Sequence, residues 1–194
     1  KKYTGNINCG NSGSSARFFL GLTSTYPFSI TIRGDKSLEK RPMKRVSKYL
    51  ENIGAKIYFK NKKNTLPANI CGTNWPLAQK HEITEPSAQI KTAIILSALN
   101  TPGITEIIEK HDTRDHTERL LKTLGGDIKI KKIRNKKIII IKGHQEMSSF
   151  KMNVPSDPSS ASFFVVQTLL SKDSSILIKD VCINKTRIGF IEIL

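Results

Sequence analysis

An α/β fold assembled from one repeated supersecondary unit is what this sequence predicts, and three observations carry the prediction. Leu50, Ile53, Gly54, Ile57, Ile70 and Gly72 return 71 residues later as Leu121, Leu124, Gly125, Ile128, Ile141 and Gly143. Ser14-Ser15-Ala16-Arg17-Phe18-Phe19 returns as Ser159-Ser160-Ala161-Ser162-Phe163-Phe164, with Ser87-Ala88-Gln89 between them at spacings of 73 and 72. Arg41, Arg114 and Arg187 stand 73 residues apart, each after a strand-like stretch and before or at a helix start. A fixed period of this kind marks a repeated unit. Written coarsely the unit is helix, strand, helix, strand, strand, with right-handed crossovers, in two full copies and part of a third.

Taken in order, Asn8 to Leu20 runs from a glycine-rich turn, Gly10-Asn11-Ser12-Gly13, into an apolar helix. Ser29 to Arg33 alternates like a strand. After the turn at Gly34-Asp35-Lys36-Ser37, Arg41-Pro42 opens a helix whose Met43, Val46, Leu50 and Ile53 share one face and which stops at Gly54. Strands are predicted near Lys56 to Lys60 and Ala68 to Cys71. Pro86-Ser87 in front of the apolar run Ala93 to Leu99 is a helix start, because a serine oxygen can accept from free backbone N–H groups of the first turn. Thr117 and Glu118 fall in another first turn, where an acid suits the helix dipole. Gly143 to Asn153 breaks the period with polar residues and one more strand-like segment, which sets a domain boundary between residues 153 and 154.

The chain has 194 residues, 38% of them hydrophobic, enough for a packed core. No run approaches the length of a membrane span, and Lys1 opens the sequence without a leader pattern, so a cytoplasmic protein or a piece of one is expected. Cys9, Cys71 and Cys182 are too far apart for metal-pair spacing and odd in number, so reduced thiols are expected. The formal charge of +16 raises a nucleic-acid partner. Against it, the lysines accompany abundant isoleucine and asparagine, a bias that nucleotide composition also produces. Nine of the 32 basic residues also fall in Lys60–Lys63 and Lys129–Lys137, which read as solvated hairpin flanks.

Helix starts rich in Ser, Gly, Gln and Arg, if brought together, form an anion site through backbone N–H groups and guanidinium forks. The Gly10 turn alone is weak, since Walker-type Gly-Lys-Ser/Thr spacing is absent. Periodic arginines favour phosphate or carboxylate binding, with pairing to Asp35, Asp112 and Asp180 as the structural alternative. His111 and His116 are five apart, wrong for one helical face, and complete no zinc set. Asp157 reads equally as a helix cap or as a site residue.

Together, Asn11-Ser12-Gly13-Ser14-Ser15-Ala16-Arg17, Gly34-Asp35-Lys36-Ser37-Leu38 leading to Arg41-Pro42-Met43, Ser87-Ala88-Gln89-Ile90-Lys91, Thr113-Arg114-Asp115-His116-Thr117-Glu118 and Val154-Pro155-Ser156-Asp157 resemble the 3-phosphoshikimate 1-carboxyvinyltransferase (EPSP synthase) family of enolpyruvyl transferases. The resemblance implies inverse α/β barrel domains built from βαβαββ units. Residues 1–153 would be most of a substrate-binding barrel, about two units plus the end of another. Residues 154–194 would begin the return into a second, truncated domain. It implies transfer of the enolpyruvyl group from phosphoenolpyruvate to the 5-hydroxyl of shikimate 3-phosphate, on the route to chorismate and the aromatic amino acids. No metal or organic cofactor is implied, and the intact protein would be a monomer.

Carried over by position, Gly13, Arg41 and Gln89 match phosphoenolpyruvate-binding positions. Ser87, Ala88, Gln89, Thr113 and Arg114 match those for shikimate 3-phosphate, with Thr113 where the family often has serine. Asn11 and Asp157 match residues near the site. Phe18 and Ser156-Asp157-Pro158 depart from the usual family pattern. The family's amino-terminal Asp-Lys-Ser segment and the carboxy-terminal part that supplies acid/base residues have no counterpart, so an internal fragment without activity of its own is expected, its catalytic residues lying outside the chain. A sibling family acting on UDP-N-acetylglucosamine would place a catalytic cysteine five residues before Arg41-Pro42, where this chain has Lys36.

A non-catalytic, basic nucleic-acid-binding repeat is the alternative of a different class. It requires tight, steeply salt-dependent duplex binding that depends on Lys60, Lys62, Lys63, Lys131 and Lys132. The expected result is weak binding to a random duplex that changes little when these five are neutralised, measured by titration at rising salt.

Overall fold

The computed structural model describes residues 3–194, which divide into a larger body ending at Ser148 and a smaller one, Ser149–Leu194. The larger body holds two copies of one βαβαββ unit. In the first, β1 (Thr4–Asn8), α1 (Gly13–Thr23), β2 (Ser29–Arg33), α2 (Lys44–Ile53), β3 (Lys56–Phe59) and β4 (Ala68–Cys71) follow in order. In the second come β5 (Lys80–Ile83), α3 (Ala88–Leu99), β6 (Ile104–Glu109), α4 (His116–Thr123), β7 (Ile128–Ile133) and β8 (Lys136–Lys142). Each copy makes one four-stranded sheet, ordered β1-β2-β4-β3 and β5-β6-β8-β7. The first pair of each sheet is parallel and the others antiparallel.

The leading strands β1 and β5 are implied by the family resemblance but not by the residue pattern, which reads as helix, strand, helix, strand, strand. Both are short and polar, Thr-Gly-Asn-Ile-Asn and Lys-His-Glu-Ile, and both lie at a sheet edge, where little apolar patterning is required. Two complete units account for every strand from Thr4 to Lys142, so this stretch contains no end of a further unit. Gly143 to Asn153 also forms no strand. Ser148 N–H instead donates to the Leu124 carbonyl, and Met147 packs on the core, so residues 143–148 run along the larger body as coil.

The repeated residues have physical reasons. Leu50, Ile53, Ile57 and Ile70 are buried in the first repeat, and Leu121, Ile128 and Ile141 in the second, all in one continuous core. Gly72 and Gly143 lie where the chain leaving a sheet passes the end of a helix: a Cβ would sit 2.0 Å from the Tyr26 carbonyl oxygen in one and 1.6 Å from that of Thr101 in the other. Backbone cannot yield that space, so both positions require glycine. Helix α3 is covered on nearly every side, burying Ile90, Lys91, Thr92, Ala93, Ile94, Ile95, Ser97 and Ala98, whereas α2 and α4 are amphipathic with polar outer faces.

In the smaller body α5 (Pro158–Leu170) begins at Asp157, and α6 (Gly189–Ile193) follows a stretch of turns. Only Pro158 and Ala161 of α5 are buried, while Phe163, Phe164, Leu169 and Leu170 remain exposed. Among the described residues no helix is long and apolar enough to cross a membrane.

His81 on β5 is 3% exposed, meets the Tyr49 ring edge-on at 6.1 Å, and leaves Nε2 without a partner. Burial pushes its pKa down to about 4 from an ordinary 6.5. The folded chain therefore holds a neutral imidazole while the unfolded chain takes up a proton below 6.5. Stability is complete above that value and falls as pH drops through the window to 4, by about 3 kcal/mol for this group. Denaturant titrations of wild type and His81→Phe between pH 7 and pH 4 should show the wild type losing more, and parallel slopes would refute the assignment.

Candidate functional site

At the start of α1, Gly10 turns the chain with φ of 54° and Ser12 caps the helix, its Oγ accepting from Ser15 N–H at 3.1 Å. The cap takes up the Ser15 N–H, and the Gly13 and Ser14 N–H groups of the first turn have no intrahelical acceptor. Arg17, one turn on, reaches back to donate to the Gly13 carbonyl at 2.9 Å and across to the Pro42 carbonyl at 3.1 Å. It thereby fixes Arg41-Pro42 against the helix start. Arg41 donates to Asn11 Oδ1 at 3.3 Å, and Asn11 Nδ2 donates to Asp35 at 2.7 Å. Asp35 is committed elsewhere too, taking the Ser37 and Leu38 N–H groups at 3.0 and 2.8 Å.

Asparagine thus stands between the acid and the arginine. The Leu38 N–H first, and then the Asn11 amide, hold the Asp35 carboxyl below the usual carboxylate range. Arg17 is pushed down from its ordinary value by burial first and then by the charges of Arg41 and Arg45. Both Arg17 and Arg41 are anchored by neutral oxygens, and among the described residues no carboxylate forms an ion pair with either. Arg17 is the residue that sequence reasoning missed here; its position four after Gly13 on a helix was the available signal.

Ser87 caps α3, accepting from Ile90 N–H at 3.4 Å, with Ala88 the first helical residue. Gln89 donates to Ser14 Oγ at 2.7 Å and joins the first turns of α1 and α3. Glu85, the acid just before this start, is held by Lys48 at 3.0 Å and by Thr84 at 2.9 Å. The Lys48 hydrogen bond leads in keeping it ionised. Thr92 Oγ1 meets Thr117 Oγ1 at 2.7 Å, joining α3 to the first turn of α4. Three helix starts of the larger body are therefore linked in series. Of the three equivalent starts in the repeat, those of α1 and α3 are joined, while the third, at Ser159, belongs to the smaller body.

Thr113 and Arg114 precede α4. Thr113 Oγ1 donates to Glu109 at 2.6 Å, and the Arg114 side chain is exposed. Beneath them lies a buried group absent from the sequence reading. Lys91 contacts Glu109 at 3.1 Å and Glu118 at 2.8 Å, and Lys137 contacts Glu118 at 3.0 Å and Glu109 at 3.6 Å. Glu118 lies in the first turn of α4 as expected, but buried and ion-paired, and Lys137 is no solvated hairpin charge. Burial alone would lower the Lys137 pKa, but the Glu118 hydrogen bond and the Glu118 and Glu109 charges outweigh it and raise it.

The structural alternative, pairing of the arginines with Asp35, Asp112 and Asp180, does not occur as direct ion pairs among the described residues: Arg41 meets Asp35 through Asn11, and Asp112 pairs with Lys132 at 3.1 Å. In the smaller body, Asp157 caps α5 by accepting from Ser160 N–H at 3.2 Å. Arg187 pairs with the Asp157 carboxylate and donates to Ser159 Oγ at 2.9 Å. Unlike Arg41, it is held by an acid.

Residues 1–194 match the family model described as EPSP synthase (3-phosphoshikimate 1-carboxyvinyltransferase). The 3-phosphoshikimate 1-carboxyvinyltransferase of Roseobacter denitrificans is 40% identical over 185 residues, covering 95% of this chain and 41% of that relative. The protein of the same name from Lactococcus lactis subsp. lactis is 39% identical over 188 residues, covering 97% and 43%. A solved EPSP synthase from Acinetobacter baumannii superposes with a TM-score of 0.83 at 38% identity, covering 98% of this chain and 42% of that one. The chain spans about two fifths of the length of the curated relatives it matches.

A Cβ at Gly13 would lie 2.7 Å from Arg17 Nη1 and 3.3 Å from Arg41 Nη1. Gly13→Ala should therefore lower affinity for inorganic phosphate by about threefold or more, with little change in melting midpoint, because the displaced atoms are ends of flexible side chains. Calorimetric titration with thermal melts checks both; equal phosphate affinity would refute the placement.

Proposed function

This chain belongs to the EPSP synthase family, and on that premise we propose that it forms one wall of the site where the enolpyruvyl group of phosphoenolpyruvate passes to the 5-hydroxyl of shikimate 3-phosphate. In that transfer the bond between the enol carbon and the phosphate oxygen breaks. A bond from the same carbon to the 5-oxygen forms, the hydroxyl proton is released, and inorganic phosphate leaves. Both substrates are anions, so the contribution of this chain is electrostatic: it holds and orients them.

The observation that carries the reading is the Gly13–Arg17–Arg41 corner, whose guanidinium groups are fixed by carbonyl and amide oxygens next to two joined helix starts. Donors fixed in advance by the fold stabilise developing charge without reorganising during the reaction. We assign Gly13, Arg41 and Gln89 to phosphoenolpyruvate, with Asn11 and Arg17 setting the Arg41 fork. Ser87, Ala88 and Gln89, with Thr113 and Arg114, are assigned to shikimate 3-phosphate. Asp157 is assigned to the surroundings of the site through the cap that it forms on α5. The proposed setting is the cytoplasm, with the intact protein acting as a monomer.

The test is phosphate release by the complete reading frame that contains this sequence, supplied with both substrates. Arg41→Lys keeps the charge and loses the planar fork, so kcat/KM should fall by an amount on the order of a few kcal/mol in transition-state stabilisation. Wild-type kinetics in that variant would refute the Arg41 assignment, and turnover only with UDP-N-acetylglucosamine would refute the acceptor.

A further inference from the structure

The buried quartet of Lys91, Glu109, Glu118 and Lys137 is not explained by the fold, because the first repeat supplies an internal control. Pairing of Ile30 with Ile70 in β2–β4 corresponds to pairing of Thr105 with Ile141 in β6–β8. By that register Glu109 stands where the first repeat has Gly34, and Lys137 where it has Leu66. Glu118 similarly corresponds to Ser47, and Lys91 to Phe18. Leu66 is fully buried, and the buried Leu38 side chain fills the space beside Gly34, where a Cβ would meet it at 2.5 Å. The same topology is therefore built once without these charges, and buried ion pairs are often no more stabilising than apolar residues of similar volume.

The quartet does one thing the first repeat does not. Glu109 and Lys137 face each other across β6–β8, Lys91 comes from α3 two residues after Gln89, and Glu118 comes from α4. With one oxygen of Glu109 engaged by Lys91, the other accepts from Thr113, the residue directly before Arg114. We propose that Glu109, acting through Thr113, is a positioning residue that sets the Arg114 loop against the Ser87–Gln89 helix start. The proposal rests on the functional reading above only for the identity of the ligand, the phosphate ester of shikimate 3-phosphate. Arg114 is long and exposed, and its fork reaches a ligand defined by Ser87–Gln89 only if its backbone is held at a fixed distance from that helix. Ordering the loop in advance removes a cost that binding would otherwise carry.

The test variant is Thr113→Val, which removes the hydroxyl and leaves the quartet intact, with Thr113→Ser as rescue. In the complete reading frame, amide exchange of residues 111–115 should quicken in Thr113→Val. The KM for shikimate 3-phosphate should rise about tenfold while that for phosphoenolpyruvate changes less than about twofold. The melting midpoint should stay near wild type, and Thr113→Ser should restore both readouts. Because the Thr113 hydroxyl is itself assigned to shikimate 3-phosphate, the exchange rates decide: unchanged exchange of residues 111–115 in Thr113→Val, with or without a rise in KM, would overturn the proposal, as would equal rises in both KM values with a lowered midpoint. A wild-type protein that turns over neither substrate would refute the functional reading, and the exchange rates of 111–115 would still decide the positioning role.

Discussion

Everything in the second repeat is arranged around charges that cannot be left alone. Lys91, Glu109 and Glu118 are almost wholly excluded from solvent, and Lys137 nearly so. Removing any one of them strands a partner in a low-dielectric interior, a loss far larger than the net worth of the pair. The arrangement is set by strand alternation: Glu109 shares the inward face of β6 with Thr105 and Ile107, and Lys137 that of β8 with Ile139 and Ile141. Once the register brings those two opposite each other, α3 and α4 can dock only where Lys91 and Glu118 complete the set. Positions of two helix starts follow from this constraint.

The first repeat reaches the same architecture with no charged side chain buried in its core among the described residues, and gathers several of its charged residues at the α1 corner. There the recurring device is a neutral group between opposite charges. Asn11 separates Asp35 from Arg41, and two carbonyl oxygens hold Arg17. A direct carboxylate contact would orient Arg41 equally well, but it would also neutralise the arginine. Arg187 shows that outcome in the smaller body, where Asp157 takes the guanidinium directly. The net charge of +16 matters less to recognition than which cations are left without a carboxylate.

What was legible in the sequence is what local patterning controls. The alternation of Ser29–Arg33, the amphipathic face of Met43 to Ile53, the Ser87 cap and the period itself all reappear in the fold. The edge strands β1 and β5 escaped because an edge needs little hydrophobic pattern. The strand-like composition of Gly143–Asn153 misled, since no sheet edge takes that segment up. The quartet was illegible for a different reason: its members lie 9 to 46 residues apart, and only strand register brings them together. Gly13, Arg41, Ser87 and Gln89 are singled out by motifs, and the geometry around them adds Arg17, whose contact with Pro42 no spacing announces.

The hydrogen bond from Gln89 to Ser14 spans 75 residues of sequence and links two helix starts, one from each repeat. It is a single neutral contact between surfaces rich in N–H donors and guanidinium groups. Positive ends of two helices set side by side repel, and a neutral hydrogen bond does not offset that repulsion. An anion seated there reverses the sign of the interaction and ties the halves together. Ligand and protein are in that sense parts of one fold, and occupancy is read as resistance to unfolding as much as affinity.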